Sequence, residues 1–69
     1  MNYGRLKELI KKKFGDQKAF AEAMGMSYTA LNLRLNNRVE WTTAEIVKAC
    51  ELLDIPLENA HLYFFVKEV

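Results

Sequence analysis

This 69-residue chain is poor in the residues that build special chemistry. It has one cysteine, Cys50, so an internal disulfide is excluded, and one histidine, His61. A zinc site draws several Cys and His ligands, and Cys–His catalysis needs a positioned pair, so both are disfavoured by counting alone. Proline occurs once and glycine three times, which favours regular elements joined by short turns. No apolar run approaches the roughly 20 residues that span a bilayer. The longest, from Leu62 to Val66, is far shorter. The N-terminus reaches charge at once, without the apolar stretch of a signal peptide. No nucleophile, base and metal-ligand set clusters in the sequence, which argues against an enzyme. The expectation is a non-enzymatic protein of a reducing cytoplasm, with no metal, cofactor, membrane or small-molecule partner.

What is present is a globular composition. Hydrophobic residues make up 51% and charged residues 28%, enough apolar side chains for a core and too many for a disordered chain. The length fits one domain, residues 1–69, with little interior to spare. The net charge of +1 conceals an asymmetry. Residues 1–38 hold eight Lys or Arg against three acids, Glu8, Asp16 and Glu22, a balance of +5. Residues 39–69 hold Lys48 and Lys67 against six acids, a balance of −4. A polyanion would meet the front half; chance clustering of solvated charges is the competing reading.

Apolar residues recur at helical spacing almost throughout. A first helix is expected over 3–13, with Leu6, Leu9, Ile10 and Phe14 on one face and Gly15 as its stop. Lys11, Lys12 and Lys13 complement the dipole of its last turn and are not counted as a binding site. A second helix follows over 17–24, capped by Asp16, with Phe20 and Met24 inward and Gly25 supplying a tight turn. A third is expected over 28–36, capped by Ser27, with Leu31 and Leu35 inward and Asn36-Asn37-Arg38 as its end. Thr42-Thr43-Ala44-Glu45 is a capping box, and Trp41 and Ile46 form a candidate hydrophobic staple around it. Ile46, Ala49, Cys50 and Leu53 make the apolar stripe of this fourth helix, and Asp54-Ile55-Pro56 ends it. Beyond Pro56 two readings stay open. Leu57–His61 forms a short fifth helix that Leu62-Tyr63-Phe64-Phe65-Val66 either continues or leaves as a strand.

The segment from Gln17 to Asn36 has the mechanical parts of a helix-turn-helix. Ala21 and Gly25 let two helices cross through a very short turn, and Met26 and Leu31 lock the angle. The second helix then projects far enough to enter a major groove. At about 100° per residue, Tyr28, Thr29, Asn32, Leu33 and Asn36 share one arc of roughly 140°, with Leu31 and Leu35 outside it. Asn pairs with adenine, Thr bonds several bases or packs on a thymine methyl, and Leu packs only on methyls.

On these residues the chain resembles the phage Cro/repressor-type (XRE-like) helix-turn-helix family. The likeness covers about residues 3–60. It is strongest from Gln17 to Asn36, then in the capped fourth helix and in Leu52-Leu53-Asp54-Ile55-Pro56-Leu57. Phe14-Gly15-Asp16-Gln17, Gly25-Met26-Ser27 and Leu35-Asn36-Asn37 look like short phage regulators of Gram-positive hosts. The resemblance implies an all-α, compact four-to-five-helix, lambda-repressor-like DNA-binding domain. It implies base reading by Tyr28, Thr29, Asn32 and Leu33. It implies phosphate contacts from Gln17, Lys18, Arg34, Asn36, Asn37 and Arg38, with Arg34 snorkelling outward from the core edge. Departures are visible too: Leu33 replaces a longer polar residue, Asp16 puts negative charge beside the expected phosphate, and no basic arm precedes the first helix.

Function follows as sequence-specific binding of double-stranded operator DNA by a homodimer, with repression as the outcome. Tyr63, Phe64 and Phe65, in a C-terminal tail 62–69, are the expected dimer contact; the competing reading tucks Phe64-Phe65 back into the core, which so small a chain has little interior for. Two-fold symmetry would set the reading helices about 34 Å apart. Three rivals share the scaffold: an antitoxin-type autoregulator with a protein partner, a DNA-binding domain cut from a longer repressor, and a helical protein-interaction module without DNA binding.

Overall fold

The computed structural model describes residues 3–65. Five α-helices follow in order: α1 (Gly4–Phe14), α2 (Gln17–Met24), α3 (Tyr28–Leu35), α4 (Thr43–Leu53) and α5 (His61–Phe64). A single 3-10 turn, Leu57–Asn59, precedes α5. No strand occurs among the described residues. The strand alternative for the C-terminal segment is therefore overturned as far as Phe65. Residues 66–69 of the expected tail lie outside the described residues. None of the described helices is long and apolar enough to cross a membrane.

Local chemistry starts three of these helices where the sequence places the caps. The Asp16 carboxylate accepts the Ala19 N–H at 2.8 Å, and the Ser27 hydroxyl accepts the Ala30 N–H at 3.0 Å. At α4 the capping box is complete. Thr42 Oγ1 accepts the Glu45 N–H at 3.1 Å, and Glu45 Oε1 accepts the Thr42 N–H at 3.0 Å. Each pairing satisfies a donor that the first turn of a helix leaves open.

Three of the helix ends share one device. After α2, the Met26 N–H reaches Ala21 O and the Gly25 N–H reaches Glu22 O, both at 3.0 Å. The same double bond recurs after α3 (Arg38 to Leu33, Asn37 to Arg34) and after α4 (Ile55 to Cys50, Asp54 to Glu51). The pattern needs a left-handed residue at its centre. Those residues are Gly25 (φ 76°), Asn37 (φ 61°) and Asp54 (φ 57°). Pro56 is thus not what stops α4; the chain has already turned at Asp54.

One core gathers all five helices: Leu6 and Ile10 from α1, Phe20, Ala21 and Met24 from α2, Leu31 and Leu35 from α3, Ile46, Ala49, Cys50 and Leu53 from α4, and Phe64 from α5. Tyr3, Ile55 and Ala60 complete it. Phe14 meets Phe20 edge-on at 5.2 Å between ring centroids. Cys50 is a core residue as expected, and burial pushes its thiol pKa up.

Phe64 corrects the dimer expectation. It is 2% exposed and meets Trp41 edge-on at 5.0 Å. An aromatic already sealed in the core has no surface to offer a second chain. Tyr63 is half-buried, and Phe65 is 56% exposed. The short α5 therefore splits the expected aromatic trio between inside and outside.

Candidate functional site

Gly25 sets the geometry of the site. Its φ of +76° is one that side chains rarely adopt. The turn Gly25–Ser27 delivers the chain directly into α3, whose inner face is fixed by the fully buried Leu31 and nearly buried Leu35. The opposite face is left outward. Tyr28, Thr29, Asn32, Leu33, Asn36 and Arg38 line one open concavity of about 520 Å³. All four expected base-reading residues are thus brought together on one surface, joined by Asn36 and Arg38 from the expected phosphate set.

The concavity is only weakly charged. Tyr28 is 42% exposed and Leu33 40%. Val39, just beyond α3, is a further exposed apolar residue nearby in sequence. Asn36 donates its side-chain N–H to the Asn32 carbonyl at 2.9 Å, which commits one end of its amide. Arg38 is exposed and borders the same concavity. From α2, Lys18 places its ammonium 5.7 Å from the centroid of the Tyr28 ring, a cation–π arrangement linking the first turns of the two helices. Gln17 sits half-buried at the first position of α2. An anion arriving there would meet the Asp16 carboxylate, which already holds the Ala19 N–H.

Arg34 corrects another expectation. It does not snorkel toward solvent. Its guanidinium makes a two-pronged pair with Glu45, Nε to Oε1 and Nη2 to Oε2, both at 3.0 Å. Its Nη1 donates to Ala30 O at 2.9 Å. Both side chains are largely withdrawn from water, at 16% and 22% exposed. Because Glu45 also closes the capping box, one carboxylate ties the last turn of α3 to the first turn of α4. The Arg34 hydrogen bonds hold the Glu45 pKa below its ordinary 4.5, against an opposing push from burial. Arg34 is therefore a clamp on the orientation of α3, with its charge already spent.

Sequence reasoning missed this clamp, although a signal existed. Arg34 and Glu45 lie 11 residues apart, across a loop whose length alone does not bring them together. A helix-edge arginine followed by a capping-box glutamate at the start of the next helix is the pattern that would have suggested it. A second feature also went unread. Tyr3, Asn37, Val39, Glu40, Trp41, Ile46, Phe64 and Phe65 border a cavity of about 380 Å³. Trp41 and Ile46, the expected staple, share its wall, while the Trp41 indole N–H is buried without a hydrogen-bond partner. Burial, and secondarily the Glu40 charge, raise the Tyr3 pKa. No group of three or more potential metal ligands occurs among the described residues.

A search of curated proteins found no match. Among solved structures, the chain is similar to the modulator of repression (MOR) of the temperate bacteriophage TP901-1 from Lactococcus lactis. The two share 39% identity at a TM-score of 0.83, over 93% of this chain and 86% of that one. That likeness supports the all-α fold and a phage regulatory setting. A family model described as "Protein of unknown function (DUF739)" matches residues 1–67, so the chain belongs to the DUF739 family.

Proposed function

We propose that the chain modulates transcriptional repression in a phage regulatory circuit, acting through the outward face of α3 on double-stranded operator DNA. One observation carries the reading: Tyr28, Thr29, Asn32 and Leu33 form a continuous outward surface on a helix whose inner face and both ends are fixed. A rigid projecting helix with amide, hydroxyl and methyl groups suits base edges in a major groove. Its setting in a phage switch is supported by the similarity to a modulator of repression. The chain acts as a homodimer in the bacterial cytoplasm, with the exposed Phe65 and the half-buried Tyr63 at the contact.

A second reading is favoured by a specific observation. Tyr28 and Leu33 are exposed on the outward face of α3, and the one arginine within α3 is engaged by Glu45. A modulator of repression can act on a repressor protein as well as on its operator, and this half-apolar face suits a protein partner. The deciding test is selection of bound sequences from random duplex DNA by the purified chain, followed by affinity measured against salt. A two-fold symmetric consensus, with affinity falling steeply as salt rises, supports the operator reading. Absence of a consensus transfers the α3 face to the protein-partner reading.

A further inference from the structure

We infer that α3 reads A·T base pairs and passes over guanine; this rests on the duplex-DNA reading above. The commonest specific contact to guanine is a two-pronged Arg or Lys bond to O6 and N7 in the major groove. The α3 segment has one arginine, Arg34, and both prongs of its fork are closed on Glu45 while its third nitrogen holds Ala30 O. Lys18 belongs to α2, the helix that crosses the backbone in this geometry, and its ammonium stands over the Tyr28 ring. Arg38 borders the same concavity but lies beyond the C-terminal end of α3, after the chain has turned at Asn37, whereas base edges meet the N-terminal part of a reading helix. No guanidinium is left on the part of α3 that would face the groove floor.

What remains there matches A·T pairs. Asn32 presents a donor and an acceptor together, the complement of adenine N6 and N7. Leu33, 40% exposed, offers only methyl groups, whose sole attractive partner on a base edge is the thymine C5 methyl. Thr29 adds a methyl and a hydroxyl on the same arc. Asn36 is set apart from this duty, because its amide N–H is held by the Asn32 carbonyl. The half-site is therefore an A·T-rich core under Thr29, Asn32 and Leu33, with Arg38 on a flanking phosphate.

The test uses the intact chain and the duplex recovered by selection, with single-atom changes in the bases. Placing G·C at the core positions is expected to weaken binding about 10- to 100-fold. Replacing the one thymine under Leu33 by deoxyuridine removes only the methyl and is expected to cost about 4-fold, from the burial of one such group. That sensitivity is lost in Leu33→Ala, whose exposed position leaves folding intact. Replacing core adenine by 7-deazaadenine weakens the native chain and leaves Asn32→Ala unchanged. A consensus with guanine under α3, lost on Arg38→Ala, overturns the inference while leaving operator binding standing. A selection without any consensus overturns operator binding, and the inference with it.

Discussion

Two regions of this molecule carry exposed aromatic and apolar residues, and each reads from sequence as an interaction surface. One is the outward face of α3; the other is the aromatic run ending at Phe65. The first is brought together on one surface as expected, and the second divides. The face of α3 is set by residues within seven positions of one another, on a helix held at both ends by its own caps. The position of Phe64 is set by Trp41, 23 residues away in sequence. A periodic pattern reports local orientation well, because it depends only on helix geometry. It is silent on which distant partner claims a side chain in a four-residue helix.

The largest effect that would sharpen this comparison comes from Phe64. Phe64→Ala removes a buried ring held edge-on against Trp41 and is expected to cost about 3–5 kcal/mol of folding stability. Leu33→Ala, on the exposed face, is expected to stay within about 0.5 kcal/mol. Chemical denaturation monitored by the single tryptophan reports both. A Phe64→Ala chain that kept its stability and lost only self-association would restore the dimer role and break the distinction.

Arg34 is the next step down in size, and it bears on the first region alone, since it holds α3 against α4. Arg34→Met keeps the aliphatic stem but leaves Glu45 without its fork. A loss of about 1–2 kcal/mol is expected from the charge-assisted hydrogen bonds. The sign of the pH dependence follows from the depressed Glu45 pKa. The stabilisation is full above the ordinary value of 4.5 and is lost as pH falls through the lower folded-state value. Acid unfolding of the native chain should therefore steepen below about pH 4.5, and Arg34→Met should flatten that part of the curve. Equal slopes in the two proteins would remove Glu45 as the group responsible.

Much of the architecture was legible because its signals are short-range. Asp16, Ser27 and Thr42 with Glu45 marked helix starts that the backbone adopts. Gly25 marked the turn, and the stripe Ile46, Ala49, Cys50 and Leu53 marked a buried face. At the candidate site, Tyr28, Thr29, Asn32 and Leu33 were grouped correctly by helical arc alone. Arg34 was misread because its partner sits across a loop, and a side chain at a helix edge has two directions open to it. The end of α4 falls at Asp54-Ile55-Pro56 as expected, but its cause was assigned to Pro56 because proline is the louder signal. An aspartate takes a left-handed conformation with less penalty than most residues, so nothing in its identity forces the assignment.

Asp54 also supplies the smallest expected effect. Its left-handed backbone favours glycine, so Asp54→Gly should relieve strain worth about 0.5–1 kcal/mol. The same change deletes the ion pair with Lys13, at 2.9 Å, which joins the end of α4 to the last turn of α1. That pair is exposed, with the Asp54 side chain 78% accessible, and exposed pairs contribute about 0–1 kcal/mol. The two terms oppose each other, and Lys13→Ala separates them by removing the charge partner alone. If backbone strain outweighs the pair, Asp54→Gly is the more stable chain and the gain grows with salt, because salt screens the ion pair and leaves the strain untouched. A loss of stability at every salt concentration would instead mean that Asp54 anchors the segment leading to Phe64. The stop of α4 would then be part of what draws that aromatic inward, through a link no local pattern displays.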